Sequence, residues 1–155
     1  MKTIILSIGL LALVSCHSSK KVVENSVVKS TQINIPKIPV IIATIGDFPK
    51  ENEPVEIRKA EIKNNILYLS ISYSGGCGQH NFELIGSKTI TKSLPPTREI
   101  QLIHKIENDN CTNIITRNIE VSISNLAYLK ENGSEINLLL KGLKDEILYT
   151  YQENF

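Results

Sequence analysis

From residue 54 onward the chain alternates apolar and polar side chains with a period of two. In "ILYLSISYS", Leu67, Leu69, Ile71 and Tyr73 fall on one side, while Tyr68, Ser70 and Ser72 fall on the other. Successive side chains of a strand point to opposite faces, so this alternation predicts a strand with one buried face. "VEIRKAEIK" alternates more weakly just before it. Asn64-Asn65 separates the two segments, and asparagine tolerates the left-handed backbone that a tight hairpin needs. "NFELIG" sets Phe82 and Leu84 together, and "EIQLIHKI" aligns Ile100, Leu102, His104 and Ile106. "IITRNIEVSIS" groups Ile119, Val121 and Ile123, and "EINLLLK" and "EILYTY" follow, linked through Gly142. "NLAYLKENGS" is the helix-like piece, long enough for a single 3-10 or α turn.

Seven short strands without a long helix predict an all-β domain over residues 54–155: a seven-stranded antiparallel β-sandwich, immunoglobulin-like, with a closed barrel as the alternative. A unit of that size can bury a single core. Upstream, "INIPKIPVIIATIGDFP" is punctuated by Pro36, Pro39 and Pro49. Proline cannot donate to a sheet ladder, so residues 36–53 read as an extended Pro-rich segment, either an edge strand or chain lying on the domain.

The N-terminus changes the setting. Lys2 is followed by a largely apolar stretch from Ile4 to Val14, then Ser15 and Cys16. That is the layout of a secretory signal peptide over residues 1–15, and the stretch is shorter than the roughly 20 residues of a spanning helix. Leu13-Val14-Ser15-Cys16 resembles the lipobox of bacterial lipoproteins. The resemblance implies cleavage before Cys16 and diacylation of its sulfur, with the bilayer as partner. Two acyl chains anchor stably where one does not. Residues 16–35 then form a polar, flexible tether. His17 and Ser18 follow the lipidated position, and the lack of an aspartate there implies, by analogy with enterobacteria, an outer-membrane lipoprotein facing the periplasm. The alternative is an ordinary secreted protein with a free Cys16.

Charge narrows the partners. The chain has 17 basic and 16 acidic side chains, and cleavage that removes Lys2 leaves 16 of each. No basic stripe is present, so no nucleic acid partner is expected.

"SGGCGQH", Ser74 to His80, concentrates the candidate chemistry. With Cys16 acylated, Cys77 and Cys111 remain as a pair in an exported domain, where cysteines tend to be oxidised. A disulfide between them is one reading, and Gly75, Gly76 and Gly78 then serve the sharp turn around it. No cofactor is needed on that reading. The other adds His80 and His104, giving the two-Cys, two-His donor set of a zinc or copper(I) site. His104 shares a face with Ile100, Leu102 and Ile106, so it should be buried and hydrogen-bonded, to backbone or to Asp109. A Cys77–His104–Asp109 nucleophilic arrangement is a third reading, and a disulfide would abolish it.

"SGGCGQHNFEL", "LIHKIENDNC", "ISNLAYL", "INLLLKG" and "LYTY" together resemble a group of uncharacterised bacterial envelope lipoproteins. They share Gly-Gly-Cys-x-x-His-x-Phe, a later His with Asp-x-Cys, and a Leu-rich turn before a closing strand pair. The resemblance covers residues 56–151 and marks Gly75, Gly76, Cys77, His80, Phe82, His104, Asp109 and Cys111. It names a site without naming an activity. The chain departs from the group at "SNLAYL", where the group tends toward Asp-Leu-Ser-Pro-Leu.

The expected function is a non-enzymatic envelope lipoprotein that binds an unknown protein or a cell-wall component, inhibition of host enzymes such as lysozyme being one version. The alternative is an envelope metal-binding lipoprotein using Cys77, His80, His104 and Cys111. A hydrolase finds little support: the chain has no nucleophile elbow, no paired-carboxylate signature and no His-Glu-x-x-His.

Overall fold

A computed structural model describes residues 40–153. The signal peptide, Cys16 with its neighbours His17 and Ser18, and the tether lie outside the described residues. All seven expected strands are present: β3 (Glu56–Lys63), β4 (Ile66–Gly75), β5 (Gln79–Ser87), β6 (Thr97–Glu107), β7 (Asn113–Ser122), β8 (Glu135–Leu140) and β9 (Ile147–Thr150). A single 3-10 turn, Ser124–Leu126, stands where a helical turn was expected. Asn64 has φ 54°, the left-handed backbone expected of the β3–β4 hairpin.

The expected count and pairing need correction. Two further short strands, β1 (Ile41–Ile42) and β2 (Thr44–Gly46), come from the Pro-rich segment, giving nine among the described residues. They form an open four-stranded sheet, ordered β1-β7-β4-β3, and an open five-stranded sheet, ordered β2-β5-β6-β8-β9. Neither sheet is purely antiparallel, because β1 runs parallel to β7, β2 to β5, and β8 to β6. The seven antiparallel strands of an immunoglobulin constant domain are therefore not reproduced, and a closed barrel is excluded. The cause is local: Pro36, Pro39 and Pro49 flank the stretch from Ile41 to Gly46, leaving its N–H groups free to pair at both sheet edges.

The two sheets share one core. Leu67, Leu69, Ile71 and Tyr73 of β4 are buried as their alternation predicted, and they cluster with Ile100, Leu102, Val121, Leu138 and Tyr149. β6 pairs with β8 only over Thr97–Ile100. Beyond that point a strap of chain, residues 52–54, covers it. Asn52 Nδ2 donates to the Leu102 carbonyl at 3.1 Å, and the Glu53 amide donates to the His104 carbonyl at 3.1 Å.

At one end of the fold the chain changes sheet twice. Residues 75–79 carry it from β4 to β5, and residues 107–113 carry it back from β6 to β7. β4 and β7 are antiparallel neighbours, with Gly75 opposite Asn113. The two crossovers therefore meet, and every candidate residue of the domain lies on or beside them.

Candidate functional site

Cys77 and Cys111 are joined by a disulfide, with Cα atoms 5.7 Å apart and 34 positions between them in sequence. That separation is ordinary for a disulfide. The bridge ties the outgoing crossover to the returning one. It removes both thiols from metal binding and nucleophilic chemistry, so the Cys77–His104–Asp109 arrangement is overturned.

Asp109 organises the backbone around the bridge. Its Oδ2 accepts the amides of Gly76 at 2.6 Å and Cys77 at 3.1 Å, and its Oδ1 accepts the amide of Cys111 at 2.7 Å. The same Oδ2 lies 2.7 Å from Nε2 of His80. A carboxylate surrounded by donors favours its charged form. The Cys111 amide first, then His80, then the amides of Gly78 and Gly76 hold its carboxyl well below the usual carboxylate range, against the opposing effect of burial.

The glycines are packed to make this approach possible. A Cβ on Gly75 (φ 152°) would stand 2.5 Å from Cε1 of His80 and 2.6 Å from Oδ2 of Asp109. One on Gly78 would stand 2.5 Å from the Glu107 carbonyl oxygen. "GGCG" is thus a turn whose backbone must reach a carboxylate closely on both sides of the cysteine.

His104 is buried, 1% exposed, as its place in the alternation implied. Its direct partner is not Asp109. Nε2 lies 2.8 Å from Nδ1 of His80, and Nδ1 lies 3.1 Å from the Pro54 carbonyl oxygen. The register sets this: Phe82 is opposite His104 and His80 is opposite Ile106. His80 therefore stands one step nearer the crossover, between His104 and the loop that carries Asp109. Phe82 stacks on the His104 ring at 4.7 Å, and Tyr73 packs against both imidazoles, 4.5 Å from His80 and 5.0 Å from His104. Burial pushes the pKa of His104 down, partly offset by the Pro54 carbonyl, with the neighbouring His80 lowering it further and Glu53 raising it.

The five candidate cluster residues, Cys77, His80, His104, Asp109 and Cys111, converge. The two-Cys, two-His donor set does not converge as free ligands, because the sulfurs bond to each other and both His104 nitrogens are engaged. Among the described residues, the donor atoms that gather within 4.8 Å belong to Cys77, Asp109 and Cys111. Pro54 and Asn52 were missed. Asn52 Oδ1 accepts the His104 amide at 2.7 Å, and no local pattern announces a strap 50 residues away.

No protein-family model and no curated protein matches the chain. Solved structures do match. A NigD-like immunity protein from Bacteroides caccae superposes with a TM-score of 0.56 at 15% identity, over 73% of this chain and 64% of that one. This chain is similar to it in fold. A putative toxin-related protein from Parabacteroides distasonis gives a TM-score of 0.46 at 15% identity, over 73% and 61% of the two chains. A DUF1344 protein of unknown function from Bacteroides vulgatus gives 0.48 at 15% identity, over 75% and 58%. The matched part is less than two thirds of each of those chains, and at this identity the likeness to the NigD-like protein concerns the fold alone.

Proposed function

We propose that this chain is a lipid-anchored envelope protein whose two-sheet domain, stapled by Cys77–Cys111, binds another protein or a cell-wall component and catalyses no reaction. One observation carries the non-enzymatic reading. Both sulfurs, both carboxylate oxygens of Asp109 and all four ring nitrogens of His80 and His104 are engaged with one another or with backbone. The side chains of His80 and Asp109 are 5% and 1% exposed. Within this cluster no nucleophile or proton-transfer group is left over for a substrate. The immunity label belongs to the Bacteroides caccae protein; a binding role for this chain is of the same general kind.

The anchor rests on Leu13-Val14-Ser15-Cys16. Its test is membrane fractionation of the wild type and Cys16→Ala. The wild type should need detergent for extraction and the variant should not be processed at Cys16 or acylated; an acyl mass on the variant refutes the anchor. Thiol titration of the unfolded, non-reduced mature protein tests the staple. No free thiol is expected, and two free thiols would return the metal-binding alternative to first place.

A further inference from the structure

Three short polar contacts run in series through the buried end of the fold. Asp109 Oδ2 meets His80 Nε2 at 2.7 Å, His80 Nδ1 meets His104 Nε2 at 2.8 Å, and His104 Nδ1 meets the Pro54 oxygen at 3.1 Å. Both ends of this series are acceptors. The Pro54 carbonyl has no proton to give, and Asp109 already accepts three amide N–H groups, which suits a carboxylate and not a carboxylic acid. Each contact needs one proton between its heavy atoms. Two neutral imidazoles bring two protons, and the series needs three. With two, a ring lone pair must face either the carboxylate, the carbonyl or the other ring's lone pair. With four, N–H would point at N–H across the 2.8 Å His80–His104 contact.

We propose that the His80–His104 pair holds three protons, so that one positive charge shared by the rings sits against the Asp109 carboxylate, and that uptake of a fourth proton opens the pair as an acid-sensitive latch on the two crossovers. The three-proton state satisfies every contact. It also leaves the buried series electrically neutral, one carboxylate against one imidazolium, which a buried charge requires.

The surroundings set which ring takes the fourth proton. The Asp109 carboxylate lies against His80, and burial opposes charge on His104, so the shared proton sits on the His80 side and the vacant position is Nε2 of His104. Tyr73 from β4 and Phe82 from β5 pack on that ring without offering it an acceptor. Glu53 on the strap favours charge there and burial opposes it. From β7, the Arg117 guanidinium lies 5.8 Å from the Phe82 ring, one ring removed from His104. On β6 itself Lys105 is paired with Glu83 at 2.8 Å. Once His104 is charged, the His–His contact is repulsive. The groups that give way are those it ties down: the strap through Pro54, and through His80 the Asp109 loop with the amides of Gly76, Cys77 and Cys111.

The test uses the full chain in detergent, labelled with nitrogen-15. Imidazole nitrogen shifts at pH 7 should show three N–H positions in the His80–His104 pair, with Nε2 of His104 as the one bare nitrogen. Hydrogen-exchange protection at Gly76, Cys77 and Cys111 should then fall on going to pH 5, following the fourth proton by up to about tenfold per pH unit, while Leu67 and Leu69 in the β4 ladder keep theirs. Two N–H positions at pH 7 overturn the shared charge. A His104 that stays neutral to pH 5, or amide protection that does not change as it titrates, overturns the latch.

Discussion

His104 reaches Asp109 only through His80, whose Nδ1 lies 2.8 Å from Nε2 of His104 and whose Nε2 lies 2.7 Å from Asp109 Oδ2. The imidazole of His104 is therefore not held charged by a carboxylate of its own. Burial lowers its folded pKa below the unfolded value of about 6.5. The unfolded chain then takes up a proton that the folded chain refuses, so stability from this group is present above about pH 6.5 and lost as pH falls. Wild type should lose more stability than His104→Gln between pH 7 and pH 5, with a difference in slope of at most about 1.4 kcal/mol per pH unit. Urea unfolding at the two pH values measures it. Equal losses in the two proteins count against a buried neutral His104.

Asp109 titrates elsewhere. Its carboxyl is held below the usual range, so its contribution is present above the unfolded value of about 3.9 and lost only in stronger acid. At pH 7, Asp109→Asn should lower the melting temperature clearly. An amide would turn an N–H group toward the donors of Gly76, Cys77 and His80 or, flipped, toward the amide of Cys111. Asp47→Asn is the control, since Asp47 pairs with Lys88 at 2.5 Å on the surface and such pairs contribute at most about 1 kcal/mol. Similar melting temperatures for the two variants would remove Asp109 from its organising place.

Gly75→Ala and Gly133→Ala both place a side chain at positive φ, 152° and 85°. That strain costs on the order of 1–2 kcal/mol at either position. Only the Gly75 variant drives its Cβ into His80 and Asp109, whereas nothing lies within 4 Å of one at Gly133. Thermal unfolding should rank Gly75→Ala well below Gly133→Ala. The reverse order would mean that the turn relaxes away from the carboxylate.

Replacing both Cys77 and Cys111 by serine should cost about 3 to 4 kcal/mol, from the chain entropy released when a loop of this length is opened. Urea unfolding with and without a dithiol reductant checks the cause. The wild type should fall to the level of the double variant on reduction, and the variant should not respond. A variant as stable as the oxidised wild type would show that the bridge adds nothing to stability.

Much of the fold was legible because each strand carries its own alternation. Leu67, Leu69 and Ile71 announce the buried side of β4 without reference to any partner, and His104 could be placed inside by the company of Ile100 and Leu102. Of β1 and β2 only the edge position was legible, from the prolines that punctuate residues 36–53; their bounds and parallel pairing were not. Two or three residues hold no measurable period, and their pairing depends on free edges that β7 and β5 happen to present. The site divides the same way. Cys77, His80, His104, Asp109 and Cys111 stand out as residue types, so membership was readable. The order in which they bond was not, because it follows from the β5–β6 register and from where the strap crosses β6. Asn52 and Pro54 contribute an amide and a carbonyl, groups that carry no compositional signature.

Ala43 lies between the strand that joins one sheet and the strand that joins the other. It is fully buried, its amide donates to the Ser122 carbonyl at 2.9 Å, and its carbonyl accepts from Asn125 Nδ2 at 3.2 Å. The six-residue stretch around it acts as a rivet through both layers. Neither layer can slide or peel without withdrawing it, so loss of one exposes the edge and the core of the other in the same event. Cooperativity of melting is thus built in at the N-terminal end of the described residues, at the opposite end of each sheet's ladder from the disulfide.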